Sequence, residues 1–371
     1  MSIPALNIDA LLRERAPQIA AWGIPAQLLA RVRTRIRDFE SDGQGGWTYE
    51  WAREAERRES DRPLLAAALW GAARFPVANT PARQLAQARQ LACFLAAAPR
   101  FPVRFERRSV AGVAIHLYAP RDQQAPLVLL SGGLDTFKIE LHRLALGLVR
   151  AGLAVAAIDM PGTGESAEPL HPQAEQTYLA VLNALCEGRP RAMLGISFGG
   201  HWAAKLALMG ELDAAVDVGG PVGARELGAD FIRNLPNGMP ETLAHALGYR
   251  ELPSEPEVAR LLAAFSLRRQ GLLTPARLHR PLLVLNGERD PYLPLEETSV
   301  FREFPRAEVA LLRGLGHCAG EKFLRVAPFL ITWLRARLMP GTVSRIAERA
   351  SRLLLPSCDY HRCPMQTIAQ R

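Results

Sequence analysis

The strongest chemical signal in the chain is the run Gly195-Ile196-Ser197-Phe198-Gly199. A serine hydroxyl is a weak nucleophile until a base accepts its proton. It must therefore be presented on backbone that leaves the oxygen open to both base and substrate. A G-x-S-x-G string does this when it joins a strand to a helix, because the serine then sits on a tight, strained turn above the sheet. Glycines two positions before and after let neighbouring backbone approach closely. Here the apolar run Ala192–Ile196 precedes the string and a helical pattern starts near Gly200. The positive end of that helix favours negative charge beside the serine.

The partners of such a serine are expected in the order acid, then histidine, on loops after later strands. Leu282–Leu285 is followed by Asn286-Gly287-Glu288-Arg289-Asp290-Pro291, and Val309–Leu312 by Arg313-Gly314-Leu315-Gly316-His317-Cys318. We read Asp290 as the orienting acid and His317 as the general base. Glu288 is the competing carboxylate, nearer its strand. His201 is the rival base, but in the first turn of the helix after the elbow it reads as packing or substrate-facing. The other histidines read as surface or structural, and Cys318 as a small buried filler. Acyl transfer also needs hydrogen-bond donors for an oxyanion. The Phe198 N–H is one. Gly133 or Leu134, in the loop Ser131-Gly132-Gly133-Leu134-Asp135, supplies the other. Asp135, Lys138 and Glu140 follow at what reads as a helix start, where they order that loop, touch substrate or form a solvated face. The glycine-rich Asp159–Ser166 run lacks the third glycine of G-x-G-x-x-G, so it reads as a structural loop.

These residues need a scaffold of strands and helices to bring them together. Residues 1–100 read as helices only, with Trp47 and Trp51 as core anchors and Asn79-Thr80-Pro81 as a helix start. Val103–Ser109 and Val113–Tyr118 flank an Ala111-Gly112 turn and read as a hairpin. Short apolar strands then alternate with helical segments near 137–150, 172–187, 199–210 and 294–304. This predicts an α/β fold with a mainly parallel sheet covered on both faces. The core is placed at 101–221 and 277–340. The long connection at 222–276 is expected to be a helical cap over the sheet's carboxyl edge, with Arg225 and Glu226 as candidate substrate-binding residues. Residues 341–371 read as a helix and a polar tail carrying Cys358 and Cys363.

Composition narrows the partners. The formal charge is +8 with a pI near 9.6. All but three of the basic residues are arginines, spread without long runs, and no nucleic-acid module accompanies them. The odd cysteine count, five, implies no disulfide framework. No apolar stretch approaches a membrane span and the first residues lack the pattern of a signal peptide. The expectation is a cytoplasmic protein acting on a small molecule, with no nucleic-acid or membrane partner, no metal and no cofactor.

The S-G-G-L-D loop at 131–135, the Asp159–Glu165 run, the elbow and the Asp290 and His317 loops together resemble the FrsA-like esterase group of α/β-hydrolases. That group includes polyketide-shortening hydrolases of pigment biosynthesis and dihydroxypseudooxynicotine hydrolase. The similarity spans roughly 45–340 and includes the helical N-terminal region. It implies cleavage of esters, or of carbon–carbon bonds next to ketones, by a Ser–Asp–His triad without a cofactor. It also implies N-terminal helices that help close the site and support a homodimer. Thioesterase or acyltransferase chemistry is the enzymatic alternative. Because some members lack the serine, a regulatory binding protein on a hydrolase scaffold is the alternative from another class.

Overall fold

The structure, a computed structural model, describes residues 8–362. Five helices come first: α1 (Ile8–Ala21), α2 (Ala26–Arg33), α3 (Trp47–Glu56), α4 (Pro63–Arg74) and α5 (Pro81–Ala97). α5 starts as its sequence dictates. The Thr80 side chain accepts the Arg83 N–H at 3.3 Å, and Pro81 occupies the first turn, where a missing N–H costs nothing. Trp47 and Trp51 of α3 are fully buried, and the Trp47 indole N–H reaches the Ala72 carbonyl at 2.7 Å.

β1 (Arg104–Val110) and β2 (Val113–Ala119) form the expected hairpin. Ala111 (φ 49°) and Gly112 (φ 81°) both take left-handed backbone at its turn, as a two-residue connection matched to strand twist requires. The chain continues through β3 (Leu127–Ser131), α6 (His142–Arg150), β4 (Ala154–Ile158), α7 (Glu175–Cys186), β5 (Arg191–Ile196), α8 (Phe198–Leu208) and β6 (Ala214–Val218). Three helices, α9 (Ala229–Arg233), α10 (Met239–Ala246) and α11 (Glu255–Phe265), lie between β6 and β7 (Leu282–Gly287). Then come α12 (Glu296–Ser299), β8 (Ala307–Leu312), α13 (Phe323–Leu338), α14 (Thr342–Arg352) and β9 (Cys358–Arg362).

The nine strands of the described residues form one sheet in the order β1-β2-β4-β3-β5-β6-β7-β8-β9. The six from β4 to β8 are mutually parallel, and β1, β2 and β9 are antiparallel additions at the edges. Alternation along each strand divides the core. Val128 and Leu130 of β3 join the layer beneath α6, α13 and the N-terminal helices, whereas Leu127 and Leu129 join the layer beneath α7 and α8. From β3 the chain moves outward to β4 and then returns across β3 to β5. The order therefore reverses at β3, and a crevice opens beyond the carboxyl ends of β3 and β5, where ligands bind in open α/β sheets.

Two local expectations are corrected. The helix read from 137 begins at His142, because residues 137–141 form turns around buried ion pairs. Residues 358–362 are not tail but β9, with Val309 of β8 opposite His361 and Leu311 opposite Asp359. The mixed Cys-Asp-Tyr-His-Arg run shows neither apolar alternation nor a continuous apolar stretch. It pairs because Tyr360 donates to the buried Glu308 carboxylate and Arg302 binds Asp359 at 2.6 Å. Cys363 lies outside the described residues.

Candidate active site

Ser197 joins β5 to α8 with φ 56° and ψ −129°, a conformation that L-residues avoid and that surrounding structure must enforce. The enforcement is visible in the glycines. A Cβ on Gly195 would lie 2.0 Å from the Gly199 carbonyl oxygen, and one on Gly199 would lie 2.4 Å from that of Gly132. Any side chain at either position would push the turn open. The serine oxygen is thereby raised above the sheet, at the N-terminus of the eleven-residue α8.

His317 and Asp290 meet it there. The His317 Nε2 lies 2.8 Å from Ser197 Oγ and its Nδ1 lies 2.6 Å from Asp290 Oδ2. Asp290 is held in turn. Asn286 donates to Oδ2 at 2.7 Å, and the backbone N–H groups of Tyr292 and Leu293 donate to Oδ1 at 2.7 and 3.2 Å. Burial opposes the Asp290 charge, but His317 and these hydrogen bonds outweigh it and keep the carboxyl below its usual range. Burial also opposes the imidazolium. The neighbouring Cys318 sulfur and the Asp290 carboxylate outweigh that, raising the His317 pKa well above the ordinary value. Cys318 Sγ lies 3.1 Å from the Val218 carbonyl oxygen, the contact of a thiol donating its proton, so we assign the lasting electrostatic support to Asp290.

Asn286 was not expected from the sequence. Its Oδ1 also accepts the N–H groups of Gly287 and Cys318, both at 2.9 Å, so one amide ties the acid loop to the histidine loop. Glu288 does not join the cluster. It points outward and accepts the Gly314 N–H at 3.2 Å.

Gly133 packs directly on Ser197: a Cβ there would lie 2.7 Å from Ser197 Cβ and 3.1 Å from Phe198 N. The Phe198 amide heads α8, where the first N–H groups have no intrahelical partner. Leu134 borders the cavity above. Backbone from two loops thus lies beside Ser197 Oγ.

The cavity holds about 280 Å³ and lies mainly between Ser197 and the segment after β6. Phe231, Ile232, Leu235, Leu243, Leu262 and Phe265 give it an apolar wall. Arg225 and Glu226 reach its rim, both largely exposed, with Glu226 paired to Arg269 at 2.6 Å. Glu297, unremarked in the sequence, accepts the Val222 and Gly223 N–H groups at 2.6 and 2.7 Å and so anchors the start of this segment.

His201 borders the cavity but is buried and does not reach Ser197 as a base would. Its Nδ1 meets the Pro221 carbonyl at 2.7 Å, and burial pushes its pKa down to about 3, so the ring stays neutral. Asp135 and Lys138 do not border the cavity. Asp135 pairs with Arg15 at 3.0 Å. Lys138 is buried between Asp159 and Glu165, tying the residue 135–140 turn to the Asp159–Ser166 loop. They brace the loop carrying Gly133 and are not on a solvated helix face. Glu140 does the same through Arg74 at 2.9 Å. No cluster of side chains suited to a metal ion occurs among the described residues, and no helix among them is long and apolar enough to cross a membrane.

Fold and site geometry together define a hydrolase of the α/β-hydrolase class. Residues 41–338 match the FrsA-like esterase family, and the chain belongs to it. It is 28% identical over 294 residues to esterase FrsA of Vibrio cholerae serotype O1, covering 70% of this chain and 69% of that one. Esterase FrsA of Yersinia enterocolitica is 29% identical over 285 residues, covering 69% and 68%. Among solved structures, wild-type AbyA5 superposes with a TM-score of 0.79 at 22% identity, covering 93% of this chain and 99% of that one. The 2,6-dihydroxy-pseudo-oxynicotine hydrolase superposes with a TM-score of 0.66 at 23% identity, covering 88% and 97%.

Proposed function

We propose that the chain is a serine hydrolase in which Ser197 is the nucleophile, His317 the general base and Asp290 the orienting acid. The observation that carries this reading is the continuous relay from Asp290 Oδ2 through the His317 ring to Ser197 Oγ, with spans of 2.6 and 2.8 Å. In the neutral ring, Nδ1 donates to Asp290 and Nε2 is left as the acceptor for the serine proton. Ser197 Oγ attacks the substrate carbonyl as His317 takes that proton. The tetrahedral oxyanion forms beside Phe198 N–H and the Gly133–Leu134 backbone. His317 then returns the proton to the leaving group, giving an acyl-Ser197 that water cleaves by the same relay. Asp290 stays ionised throughout and stabilises the imidazolium.

The apolar cavity supports a small, largely apolar metabolite whose acyl part lies against the β6–β7 helices. The bond cleaved is an ester or a carbon–carbon bond next to a ketone. In the second case, we assign contact with the leaving fragment to the rim residues Arg225 and Glu226, the Arg225 cation meeting its developing negative charge. A fluorophosphonate probe should label wild-type protein at Ser197, and Ser197→Ala should abolish both labelling and turnover of an activated ester. Full turnover by folded Ser197→Ala would overturn the assignment. Product analysis with a β-diketone against a simple ester separates the two bond types.

A further inference from the structure

Arg15 of α1 lies outside the residues that match the family, yet it is buried at the candidate active site. Its guanidinium spans two loops. One nitrogen lies 3.0 Å from Asp135 Oδ2, two residues beyond Gly133, and another donates to the Tyr292 hydroxyl at 3.0 Å. Both loops are part of the machinery described above. Asp135 continues the tight turn of the Gly133 loop, where a Cβ on Gly132 would lie 1.9 Å from the Thr136 carbonyl oxygen. The Tyr292 N–H holds Asp290, and the Tyr292 ring lies 5.2 Å from the His317 ring. Gln18, on the next turn of α1, accepts from Arg15 at 3.0 Å and donates to Thr136 at 2.7 Å. The guanidinium also lies over the Phe75 ring at 5.1 Å. Tyr292 is further tied to Glu14 and to Asn237, the latter at 2.8 Å, so α1 is fastened to the β6–β7 segment as well.

The placement of Asp135 creates an electrostatic problem. A buried carboxylate beside the oxyanion loop opposes the negative charge that develops on the substrate oxygen, and it does so strongly where water is excluded. Arg15 is the cation paired with that carboxylate, and its guanidinium contacts both the Gly133 and the Asp290 loops.

We propose that Arg15 is a positioning residue of the hydrolase. It neutralises Asp135 and holds the oxyanion loop in register with the acid–histidine pair. The inference rests on the serine-hydrolase reading. It predicts a loss confined to the chemical step, because Arg15 does not line the cavity.

The test is steady-state kinetics on a short-chain activated ester with wild type, Arg15→Gln, Arg15→Lys, Asp135→Asn and the Arg15→Gln/Asp135→Asn pair, with Ser197→Ala as the blank. Arg15→Gln should lower kcat by about 10²-fold with KM nearly unchanged, the scale of losing a preorganised oxyanion contact. The double variant should recover about tenfold over Arg15→Gln, because the unpaired carboxylate has gone. A general packing defect would instead be deepened by the second substitution. Arg15→Lys keeps the charge but not the two-loop fork, so its kcat should fall between the two. An Arg15→Gln effect seen only in KM, or a double variant slower than Arg15→Gln, would overturn the proposal. If Arg15→Gln does not fold, Arg15→Lys decides: a kcat loss at constant KM supports the proposal, and unchanged kcat overturns it. Wild-type protein that fails to label at Ser197, or an active Ser197→Ala, would sink the hydrolase reading itself. A labelled wild type, a dead Ser197→Ala and an unaffected Arg15→Gln would sink only the role of Arg15.

Discussion

Gly133→Ala tests the site geometry most sharply. The added methyl would stand 2.7 Å from Ser197 Cβ, 2.9 Å from its Oγ and 3.1 Å from Phe198 N. Carbon atoms in contact prefer about 3.5–4.0 Å, so loop and serine must part by a large fraction of an ångström. The serine cannot yield easily. Its backbone is already left-handed, and Gly195 and Gly199 pin the turn against neighbouring carbonyls. The loop is equally confined, since Gly132 rests on Thr136. A misplacement of about 1 Å at reacting groups costs on the order of 10²-fold, and loss of one oxyanion donor costs about 10²–10³-fold. We therefore expect kcat on an activated ester to fall about 100-fold or more, with fluorophosphonate labelling slowed in parallel. KM should change only a few-fold, because the apolar wall is untouched. Gly341→Ala, where a Cβ meets nothing within 4 Å, is the control. A folded Gly133→Ala variant that keeps more than about a third of the wild-type kcat would refute this account of the oxyanion loop.

Asp290→Asn should lower kcat about 10³–10⁴-fold, because the imidazolium loses its partner and the ring its tautomer. The relay needs neutral His317, so activity is lost as pH falls through that group's pKa. Asp290 raises that pKa, so the acid limb of kcat/KM should lie higher in the wild type than in Asp290→Asn. An acid limb left unmoved by Asp290→Asn in a pH–rate profile would contradict this. Glu140→Ala leaves the fully buried Arg74 guanidinium without its carboxylate. Urea unfolding should show a loss of about 3–5 kcal/mol, and a loss under about 1 kcal/mol would be inconsistent with that pairing. Leu262→Trp should fill the β6–β7 side of the cavity and raise KM for long acyl esters about fourfold per methylene excluded, with short esters spared. A uniform rise across chain lengths would place the acyl group elsewhere.

Much of the architecture was legible because strand and helix periodicities are local. The hairpin turn at Ala111-Gly112, the Thr80-Pro81 helix start and the apolar runs of β3 to β8 follow from residues a few positions apart. Strand β9 was not legible. It is held by Tyr360 on Glu308 and Asp359 on Arg302, pairings about 50–60 residues apart that leave no periodic trace. The residue 135–140 turn misled for a similar reason. Its charges look like a solvated helix start, but each meets an opposite charge from a distant element.

By itself, the sequence determined the elbow and the order of the acid and histidine loops. A strained serine turn needs small residues at fixed offsets, and a strand-end loop is marked by the strand before it. The sequence already favoured His317 over His201 and Asp290 over Glu288, and the tertiary structure supplied the distances that join them to Ser197. The tertiary structure alone brought Asn286, Tyr292 and Arg15 in behind them. Those placements depend on the direction of side chains across a twisted sheet and on which helix packs over its carboxyl edge. Distances of that kind arise from long-range packing, which no window of neighbouring residues contains.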